Sequence, residues 1–223
     1  MRYLKIVSWN CNGAFRNKFQ YIQKLNADLY IIEECENPEK IIRPEYLNYV
    51  KSSAYKCFKG DKKGLLVFSP VATINPVHWN DNRMRYYLPF NFLKHHFLGV
   101  WTKDNYIEDL YLYSSFNIQK LKNRYIIGDF NSNVMWDRKH GYRTHSDFNK
   151  LVSKVGLGSA YHMQTGDLFG QEKQATFYLY RKPEKPYYID YAYLPEKSTF
   201  NITFGDSSFL QYSDHLPLIL NVK

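Results

Sequence analysis

Several carboxylates and amides in this sequence directly follow short apolar segments, where a folded chain can bring them together. Asp129 and Asn131 come after the apolar run at 125–127, and side chains two positions apart on an extended segment share a face. Glu34 follows a second apolar run, at 29–32. Because ligand sites in layered α/β folds often lie at such strand ends, we expect these side chains to converge if the two strands are neighbours.

Four more polar residues have the same relation to apolar segments. Asn10 follows LKIVSW, Asp190 lies inside YYIDYAYL, and Asp214 and His215 immediately precede LPLIL. A carboxylate flanked by aliphatic and aromatic side chains, as Asp190 is, is costly to bury unless it is paired. His215 is the partner that we predict for it.

Each of these positions also has a purely structural interpretation. The alternatives are a turn at Asn10, a solvated acidic loop at Glu34, an Asx-turn at Asp129, a cap at Asp214 and a core histidine at His215. Each alternative is reasonable alone, but all of them together are a poor explanation of so regular a pattern. We therefore expect a functional site.

The residue types favour metal-assisted cleavage of a phosphodiester. Mg²⁺ takes oxygen ligands and typically binds through one or two carboxylates plus the phosphate of its substrate. Glu34, assisted by Asn10 or Asp214, could supply such a site. The metal, Mg²⁺ or Mn²⁺, would neutralise the phosphate and stabilise the charge on the leaving oxygen.

The remaining four residues could move protons and hold the phosphate. Asp129 would position or deprotonate the attacking water, and Asn131 would hold phosphate oxygens through its amide. His215 would donate a hydrogen bond or a proton to the phosphate. Asp190 would orient the ring of His215 and raise its pKa, as a carboxylate partner does.

The apolar periodicity predicts the elements that position these residues. We predict strands at 3–9, 29–32, 64–69, 86–91, 97–102, 124–128, 174–180, 187–194 and 216–222, and a weaker one at 200–204. Apolar residues at helical spacing predict helices over 14–25, 106–121 and 146–155, the last capped by Ser146. Strands separated by helices early and strands in succession late favour an α/β fold with a mixed sheet or two packed sheets.

Length and composition favour one intracellular domain over residues 1–223. The hydrophobic fraction of 44% and the charged fraction of 23% are typical of soluble globular proteins and exclude a disordered chain. No apolar run approaches the length of a membrane span, and the segment MRYLKIVSWN has a strand pattern and not the long apolar region of a secretory signal. The three cysteines are odd in number and form no CxxC pair, which excludes a disulfide framework and a zinc site and favours the cytoplasm.

Five motifs resemble those of the endonuclease/exonuclease/phosphatase superfamily, which includes exonuclease III and deoxyribonuclease I. They are IVSWNCNG for S-[FW]-N-x-[ND]-G, DLYIIEE for D-[IL]-x-x-[LI]-Q-E, GDFNSN for G-D-[FL]-N, IDYAYL for [IL]-D-[YH], and YSDHLPLIL for S-D-H-x-P. They occur in family order over residues 3–222, so the resemblance covers the whole chain. Glu33 stands where the family commonly has Gln.

The resemblance implies a four-layer α/β sandwich and a Mg²⁺- or Mn²⁺-dependent hydrolase. By motif, Glu34 is the metal ligand with Asn10 and Asp214 in support, and Asp129, Asn131, Asp190 and His215 are catalytic. Two smaller similarities to exonuclease III, GSAYH at 158–162 and ATFYLYR at 175–181, imply a substrate groove. The predicted substrate-binding residues are Asn12, Lys103, Tyr106, His162, Thr176 and Tyr178.

One departure from the family concerns the end of a middle strand. Deoxyribonuclease I-like members carry a second catalytic histidine there, and exonuclease III-like members carry a tyrosine. The corresponding segment here, FLGVWTKDNY, offers Lys103 or Tyr106 but no histidine. This departure counts against the deoxyribonuclease I mechanism.

The charge favours nucleic acid as the substrate. Thirty Lys and Arg against 21 Asp and Glu give a net charge of +9, which suits a polyanion. We predict a monomeric DNA endo- or exonuclease of exonuclease III type, with a role in DNA repair, whose Trp79, Trp101 and Trp136 either stack on bases or belong to the core. The alternatives are a phosphatase or phosphodiesterase for inositol phosphates, lipids or small nucleotides, and a catalytically silent nucleic-acid-binding module.

Overall fold

The computed structural model describes residues 2–223 and contains two six-stranded mixed sheets with helices outside them. The strands are β1 (Leu4–Asn10), β2 (Leu29–Cys35), β3 (Ser53–Lys56), β4 (Gly64–Phe68), β5 (Asn75–Pro76), β6 (Tyr87–Phe92), β7 (His95–Trp101), β8 (Arg124–Asp129), β9 (Leu157–Ser159), β10 (Phe177–Tyr178), β11 (Pro186–Tyr187), β12 (Asp190–Pro195), β13 (Phe200–Phe204) and β14 (Leu218–Val222). The helices are α1 (Phe19–Gln23), α2 (Pro44–Tyr49), α3 (Ile107–Phe116), α4 (Ile118–Leu121), α5 (Asp137–His140), α6 (His145–Ser153) and α7 (Ala160–Thr165).

Each sheet has a parallel pair of strands near its centre. One sheet has the order β13-β14-β1-β2-β4-β3, and the other has the order β5-β6-β7-β8-β12-β9. The parallel pairs are β1 with β2 and β7 with β8, and β1 lies against β8 across the space between the sheets. The carboxyl ends of these four strands therefore meet at one edge of the sandwich.

The alternation of side chains along the strands decides what faces the space between the sheets. On β1, Leu4 and Ile6 belong to the large core cluster between the sheets, whereas Val7 and Trp9 belong to the cluster under α1 and α2. Because strand side chains alternate with a period of two, Asn10 shares the inner face with Leu4 and Ile6. Asn10, at the carboxyl end of β1, therefore lies at the edge of the core between the sheets.

The predicted helices are interrupted where the backbone leaves helical geometry. The predicted helix at 14–25 is a 3₁₀ turn followed by α1, because Ala14 and Lys18 are not helical. The predicted helix at 106–121 breaks at Asn117, whose Nδ2 donates to the Tyr113 carbonyl. A side chain that hydrogen-bonds to a nearby backbone carbonyl can end a helix even where the apolar spacing continues.

Helix α6 begins one residue before the predicted start and has a different cap. Thr144 accepts from the backbone N–H of Asp147, and the Asp147 carboxylate accepts from the N–H of Thr144, which is a capping box. The prediction of Ser146 as the cap was wrong. The Ser-Asp pair resembles a cap, but the Thr-x-x-Asp box, which starts two residues earlier, caps the beginning of the helix.

The central strands were predicted well and the late ones less well. The predicted strand at 174–180 is reduced to β10, and the predicted strand at 187–194 is split into β11 and β12. Helix α2 and strand β3 were missed, although Pro44 at the first helical position was a signal for the helix. All three cysteines are free, and no helix within residues 2–223 is long and apolar enough to span a membrane.

Candidate active site

The polar residues selected from the sequence gather where the two sheets meet. Asn10 ends β1, Asp129 ends β8, and Asp190 begins β12, directly opposite Asp129 in the antiparallel ladder. His215 lies in the loop that leads into β14. Strands from both sheets thus bring amide, carboxylate and imidazole groups to one edge.

Asn10 joins carboxylates that belong to different sheets. Its Nδ2 donates to Asp129 Oδ2 at 2.9 Å and to Glu34 Oε1 at 3.2 Å. Its Oδ1 accepts from the backbone N–H of Asn12 at 2.9 Å, so the local turn considered for Asn10 is also present. Because this oxygen is engaged in the loop, the Asn10 amide holds Glu34 through its nitrogen, and a part for Asn10 in metal binding stays a prediction.

A bulge in β2 explains why two consecutive glutamates both turn towards the space between the sheets. The pairing of β2 with β4 shifts between Ile32 and Cys35, and Glu34 has a positive φ of 57°. Glu33 is fully buried, its Oε1 accepts from Ser8 Oγ at 2.7 Å, and burial raises its pKa well above the usual value. The interpretation of this acidic run as a solvated loop was wrong.

Asp129 is completely buried and is held in place by Asn131. Its Oδ1 accepts from the Asn131 backbone N–H at 2.8 Å, which is the Asx-turn considered for this segment. The Asn131 Nδ2 donates to Asp129 Oδ2 at 2.9 Å and to the Thr102 carbonyl at 3.1 Å. The Asx-turn therefore also brings the Asn131 side chain onto the Asp129 carboxylate. Both hydrogens of the Asn131 Nδ2 are used in hydrogen bonds.

Asp190 and His215 form a buried pair beside Asp129. The His215 Nδ1 lies 3.0 Å from Asp190 Oδ2, and Nε2 lies 4.0 Å from Asp129 Oδ2. The second distance is too long for a hydrogen bond. Nε2 is therefore directed at Asp129 without being tied to it, so a substrate atom can meet both groups.

Burial and neighbouring charges shift the pKa values of both Asp129 and His215. Burial raises the pKa of Asp129 and the charge of Asp190 adds to this, so the value reaches about 7 although His215 and hydrogen bonds from Asn10 and Asn131 lower it. Burial alone would lower the pKa of His215, but the carboxylates of Asp190 and Asp129 raise it to about 10. His215 is therefore a cation at neutral pH, beside a carboxylate that titrates there.

The residues at this edge fit a divalent ion that prefers oxygen ligands. The Glu34 side chain is 24% exposed and already holds a cation, because Lys63 Nζ lies 2.6 Å from its Oε2. Asp129, Asp190 and His215 form a second group, whose possible ligand atoms all lie within 4.8 Å of one another. The His215 Nδ1 is engaged by Asp190, so carboxylate oxygens are the donors best suited to Mg²⁺ or Mn²⁺.

Solved structures share this arrangement of strands over the whole chain. The 3′–5′ exonuclease NExo from Neisseria meningitidis has a TM-score of 0.70 at 14% identity, covering 98% of this chain and 99% of that one. The chain has the endonuclease/exonuclease/phosphatase fold. Truncated TDP2 from Caenorhabditis elegans has a TM-score of 0.63 at 13% identity, with coverage of 99% and 97%. The 3′ phosphatase NExo from Neisseria, bound to a product DNA hairpin, has a TM-score of 0.70 at 13% identity, with 99% coverage of each chain.

The predicted sandwich of two packed sheets with helices outside is thereby confirmed. The chain is similar to these solved structures in its fold, but only 13–14% of the aligned residues are identical. No protein-family model matches the chain, and no curated protein is similar to it in sequence. The motifs that predicted the endonuclease/exonuclease/phosphatase fold are short segments at the strand ends, which whole-chain similarity does not register.

Within the endonuclease/exonuclease/phosphatase fold of this chain, the loop before β14 is tied to the end of β1. The Ser213 Oγ donates to the Asn10 carbonyl at 2.6 Å, and Trp9 Nε1 donates to the His215 carbonyl at 3.0 Å. Asp214 is half-buried, and within residues 2–223 its carboxylate has the Ser213 hydroxyl, at 3.4 Å, as its side-chain hydrogen-bond partner. Within residues 2–223 no hydrogen bond joins Asp214 to Glu34, so the part of Asp214 in metal binding stays a prediction.

Two of the predicted substrate-binding residues instead support Asp190 and Asp214 from behind. Thr176 is fully buried, and its Oγ1 accepts from the backbone N–H groups of Ile189 and Asp190 at 3.0 and 3.1 Å. The Thr176 oxygen is occupied by these two N–H groups, so in this structure Thr176 positions Asp190, and its contact with substrate stays a prediction. Tyr178 donates its N–H to the Asp214 carbonyl at 2.8 Å and is half-buried, and a contact of its ring with substrate stays a prediction.

His162 is likewise engaged inside the protein. Its Nδ1 lies 2.8 Å from Ser159 Oγ, its Nε2 lies 3.2 Å from Glu172 Oε1, and its ring stacks on Phe169 at 3.6 Å. Only 8% of its side chain is exposed. The prediction of His162 as a substrate ligand is therefore not supported, because its hydrogen-bonding atoms are used in a buried network.

Lys103 and Tyr106 lie beyond the end of β7, and their contact with substrate stays a prediction. The Lys103 Nζ lies 3.4 Å from Asp61 Oδ1, and Tyr106 is 45% exposed. Trp101 is buried, as is Trp79, so these two tryptophans belong to the core and do not stack on bases. Trp136 is half-exposed.

Sequence reasoning missed three residues that hold the site. Lys63 pairs with Glu34, Ser213 anchors the loop before β14, and the Thr102 Oγ1 donates to the Phe130 carbonyl at 2.5 Å. Ser213 could have been found, because it lies inside the S-D-H motif. Lys63 and Thr102 carry no sequence signal, because their partners are far away along the chain.

Proposed function

We propose that this protein is a divalent-metal-dependent phosphodiesterase of the endonuclease/exonuclease/phosphatase superfamily that cleaves DNA, as an endo- or exonuclease of exonuclease III type. The observation that carries the proposal is the buried group of Asp129, Asp190 and His215, with Glu34 joined to it through Asn10. Three ionisable groups so close together are uncommon in a core that has only a structural role, because burying charge is costly.

Asp129 and His215 divide the proton transfers between them. Asp129, once ionised, accepts a hydrogen bond or a proton from the attacking water. His215 is cationic, is held in one orientation by Asp190, and donates from Nε2 to a phosphate oxygen. Their 4.0 Å separation leaves each group able to do this, since no bond between them has to break.

Asn131 acts mainly by holding the Asp129 carboxylate. Both hydrogens of its Nδ2 are engaged, by Asp129 and by the Thr102 carbonyl. The phosphate contact that we predict for Asn131 requires it to give up one of these bonds. Glu34, supported by Asn10 and Asp214, would hold Mg²⁺ or Mn²⁺. When bound, such an ion neutralises the phosphate and stabilises charge on the leaving oxygen.

DNA is the proposed substrate because of the charge and the fold. The net charge of +9 favours a polyanion. One structural neighbour is described as a 3′–5′ exonuclease and as a 3′ phosphatase with a product DNA hairpin. These descriptions support processing of 3′ ends, including release of a 3′ phosphate, as the second candidate activity.

The other two alternatives have less support. A phosphatase for inositol phosphates, lipids or small nucleotides would share the same chemistry, but it does not require the excess of positive charge. A silent binding module predicts that one of Glu34, Asp129, Asp190 or His215 is lost or displaced. All four are present and are linked by contacts.

The test is hydrolysis of a labelled substrate set by the wild-type protein with Mg²⁺, Mn²⁺ or EDTA. The set contains plasmid, single strand, nicked and abasic duplexes, a 3′-phosphate duplex, RNA and an inositol polyphosphate. We expect metal-dependent cleavage of DNA, with product ends that give its polarity, and loss of cleavage in His215→Ala prepared in parallel. Intact DNA with phosphate released from the inositol compound would overturn the nuclease.

The chain is also proposed to act as one domain and as a monomer in the cytoplasm. The large core cluster contains residues of both sheets, which supports a single folding unit. Light scattering on the purified protein tests the monomer. Coincident unfolding of the two sheets, followed by tryptophan fluorescence and by circular dichroism, tests the single domain.

A further inference from the structure

Lys63 holds Glu34 through an ion pair that no motif of the sequence predicts. Its Nζ lies 2.6 Å from Glu34 Oε2, with 41% of the lysine side chain and 24% of the glutamate side chain exposed. The stem of Lys63 runs along Gly13, where an added Cβ would lie 3.0 Å from the lysine Cε. The stem is therefore packed against the loop after β1, and the ammonium group is directed at the carboxylate.

The ammonium group uses the carboxylate oxygen that a divalent ion would need. Asn10 donates to Glu34 Oε1, so Oε2 is the oxygen left for a cation, and Lys63 takes it. Mg²⁺ requires carboxylate oxygens at about 2.0–2.1 Å, and two cations at one oxygen repel each other strongly. Metal binding at Oε2 therefore requires Lys63 to leave. The flexible four-carbon stem of lysine allows that without movement of the main chain.

The surroundings of the ammonium group suit an anion. Burial lowers the pKa of Lys18, Arg181 and Lys63 lower it further, and Cys11 and Glu36 raise it, so the charges of the three cations act on one another. Lys18 donates to the Cys11 carbonyl at 2.6 Å, and Arg181 donates to the Gln211 carbonyl at 3.3 Å. Their charges are thus held by neutral oxygens, and a phosphate would be their natural counter-ion.

We propose that Lys63 is an exchangeable cation of the active site: it holds Glu34 in the free protein, yields it to the divalent ion, and then binds a phosphate oxygen of the substrate. This inference rests on the proposed function, because it takes the substrate to be a phosphate ester. It makes Lys63 a residue that couples metal binding to substrate binding.

The first test measures Mn²⁺ binding without substrate in a buffer of low ionic strength. The variants are Lys63→Met, which keeps the stem and removes the charge, and Lys63→Arg, which keeps the charge. The control is Lys62→Met, because Lys62 is the exposed neighbour in the same loop. Electron paramagnetic resonance of free Mn²⁺ gives the dissociation constant. We expect Mn²⁺ to bind about three- to tenfold more tightly to Lys63→Met, and at the wild-type level to the other two.

The second test measures binding of thymidine 5′-monophosphate at saturating Mn²⁺ by calorimetry. We expect the dissociation constant to rise about threefold or more in Lys63→Met and to stay unchanged in Lys62→Met. Circular dichroism confirms that each variant is folded. Unchanged or weaker Mn²⁺ binding in Lys63→Met overturns the competition at Glu34. Tighter Mn²⁺ binding with unchanged nucleotide binding overturns the transfer of Lys63 to phosphate.

Both readouts are equilibrium measurements, so they stand apart from hydrolysis. A wild-type protein that cleaves no phosphate ester, yet shows both binding changes, would count against the proposed function and support the exchange. A protein that cleaves DNA but shows neither binding change would support the proposed function and overturn the exchange of Lys63.

Discussion

At the scale of single residues, Asp129 and His215 determine how hydrolysis should depend on pH. Asp129 must be ionised to act as a base, and its pKa is raised to about 7, while His215 must be protonated, and its pKa is raised to about 10. The pH profile of kcat/KM should therefore rise through about pH 7, or lower where a bound metal ion lowers the pKa of Asp129, and fall near pH 10.

The partner of His215 should control the alkaline limb of that profile. Asp190→Asn removes the larger of the charges that raise the pKa of His215, so the alkaline limb should move down by at least about one pH unit. The measurement is kcat/KM from pH 5 to pH 11 in both proteins. An alkaline limb at the same pH in Asp190→Asn would show that His215 does not set it.

Asp129 should also lower stability above neutral pH. Its pKa is higher in the folded protein than the usual value of 3.8, so the native state binds more protons than the unfolded state, and stability falls as pH rises from about 4 to about 7. Asp129→Asn removes this charge and should increase the free energy of unfolding at pH 8 by roughly 1–4 kcal/mol, and at pH 5 by roughly a third of that gain, because the loss of stability begins near pH 4. Urea unfolding in EDTA at both pH values measures this. Destabilisation at pH 8 would contradict it.

The side chains predicted from the sequence were those inside motifs, and the missing ones have distant partners. Asp129, Asp190 and His215 could be recognised because each follows or interrupts an apolar strand. Lys63 and Glu34 are 29 positions apart and meet only after β2 and β4 have paired. Nothing in the local sequence around Lys63 encodes that contact.

At the scale of elements, Gly128 is the residue that allows β8 to carry Asp129 beside β7. Its φ is +151°, and an added Cβ would lie 1.8 Å from the Val100 carbonyl oxygen. Gly128→Ala should lower the free energy of unfolding by about 3 kcal/mol or more and displace Asp129.

The matched control for this change is Gly156→Ala. Gly156 also has a positive φ, +73°, but an added Cβ would meet nothing within 4 Å, so only the backbone strain of about 1 kcal/mol should appear. Urea unfolding of both variants compares the two costs. Equal losses would mean that the close approach of β7 and β8 does not constrain Gly128.

The elements that carry the site could be predicted because they are buried. β1, β2 and β8 are buried along almost their whole length and contain short apolar runs, as is typical of central strands in a sheet covered on both faces. The helices were predicted too long because residues such as Asn117 bond to the backbone and end them. The bulge in β2 was also beyond prediction, since it depends on pairing with β4.

At the scale of the whole molecule, the net charge should govern binding to DNA. With +9 on the chain, affinity for DNA should fall steeply with salt, by about 10³-fold between 50 and 200 mM if roughly six phosphates are contacted. Fluorescence anisotropy of labelled duplex in EDTA, where no hydrolysis is expected, measures this. Binding that is independent of salt would argue against a polyanionic partner.

The site exists only in the complete sandwich, because its parts come from both sheets. Asn10 and Glu34 belong to one sheet and Asp129 and Asp190 to the other, and one amide bridges them. The strand pattern left open one mixed sheet or two packed sheets, and the resemblance to the superfamily implied two. The alignment of one sheet on the other, which decides that Asn10 reaches Asp129, is set by packing across the core and has no local signal.

The most direct test is the single-turnover rate of Mg²⁺-dependent DNA hydrolysis in the wild type, Asp129→Asn, His215→Ala and the double variant. Residues that act as one unit have strongly non-additive effects. Each single change should lower the rate by about 10³-fold or more, and the double change should be little worse than either single one. Full activity in Asp129→Asn, or losses that multiply in the double variant, would contradict a site in which Asp129 and His215 act together.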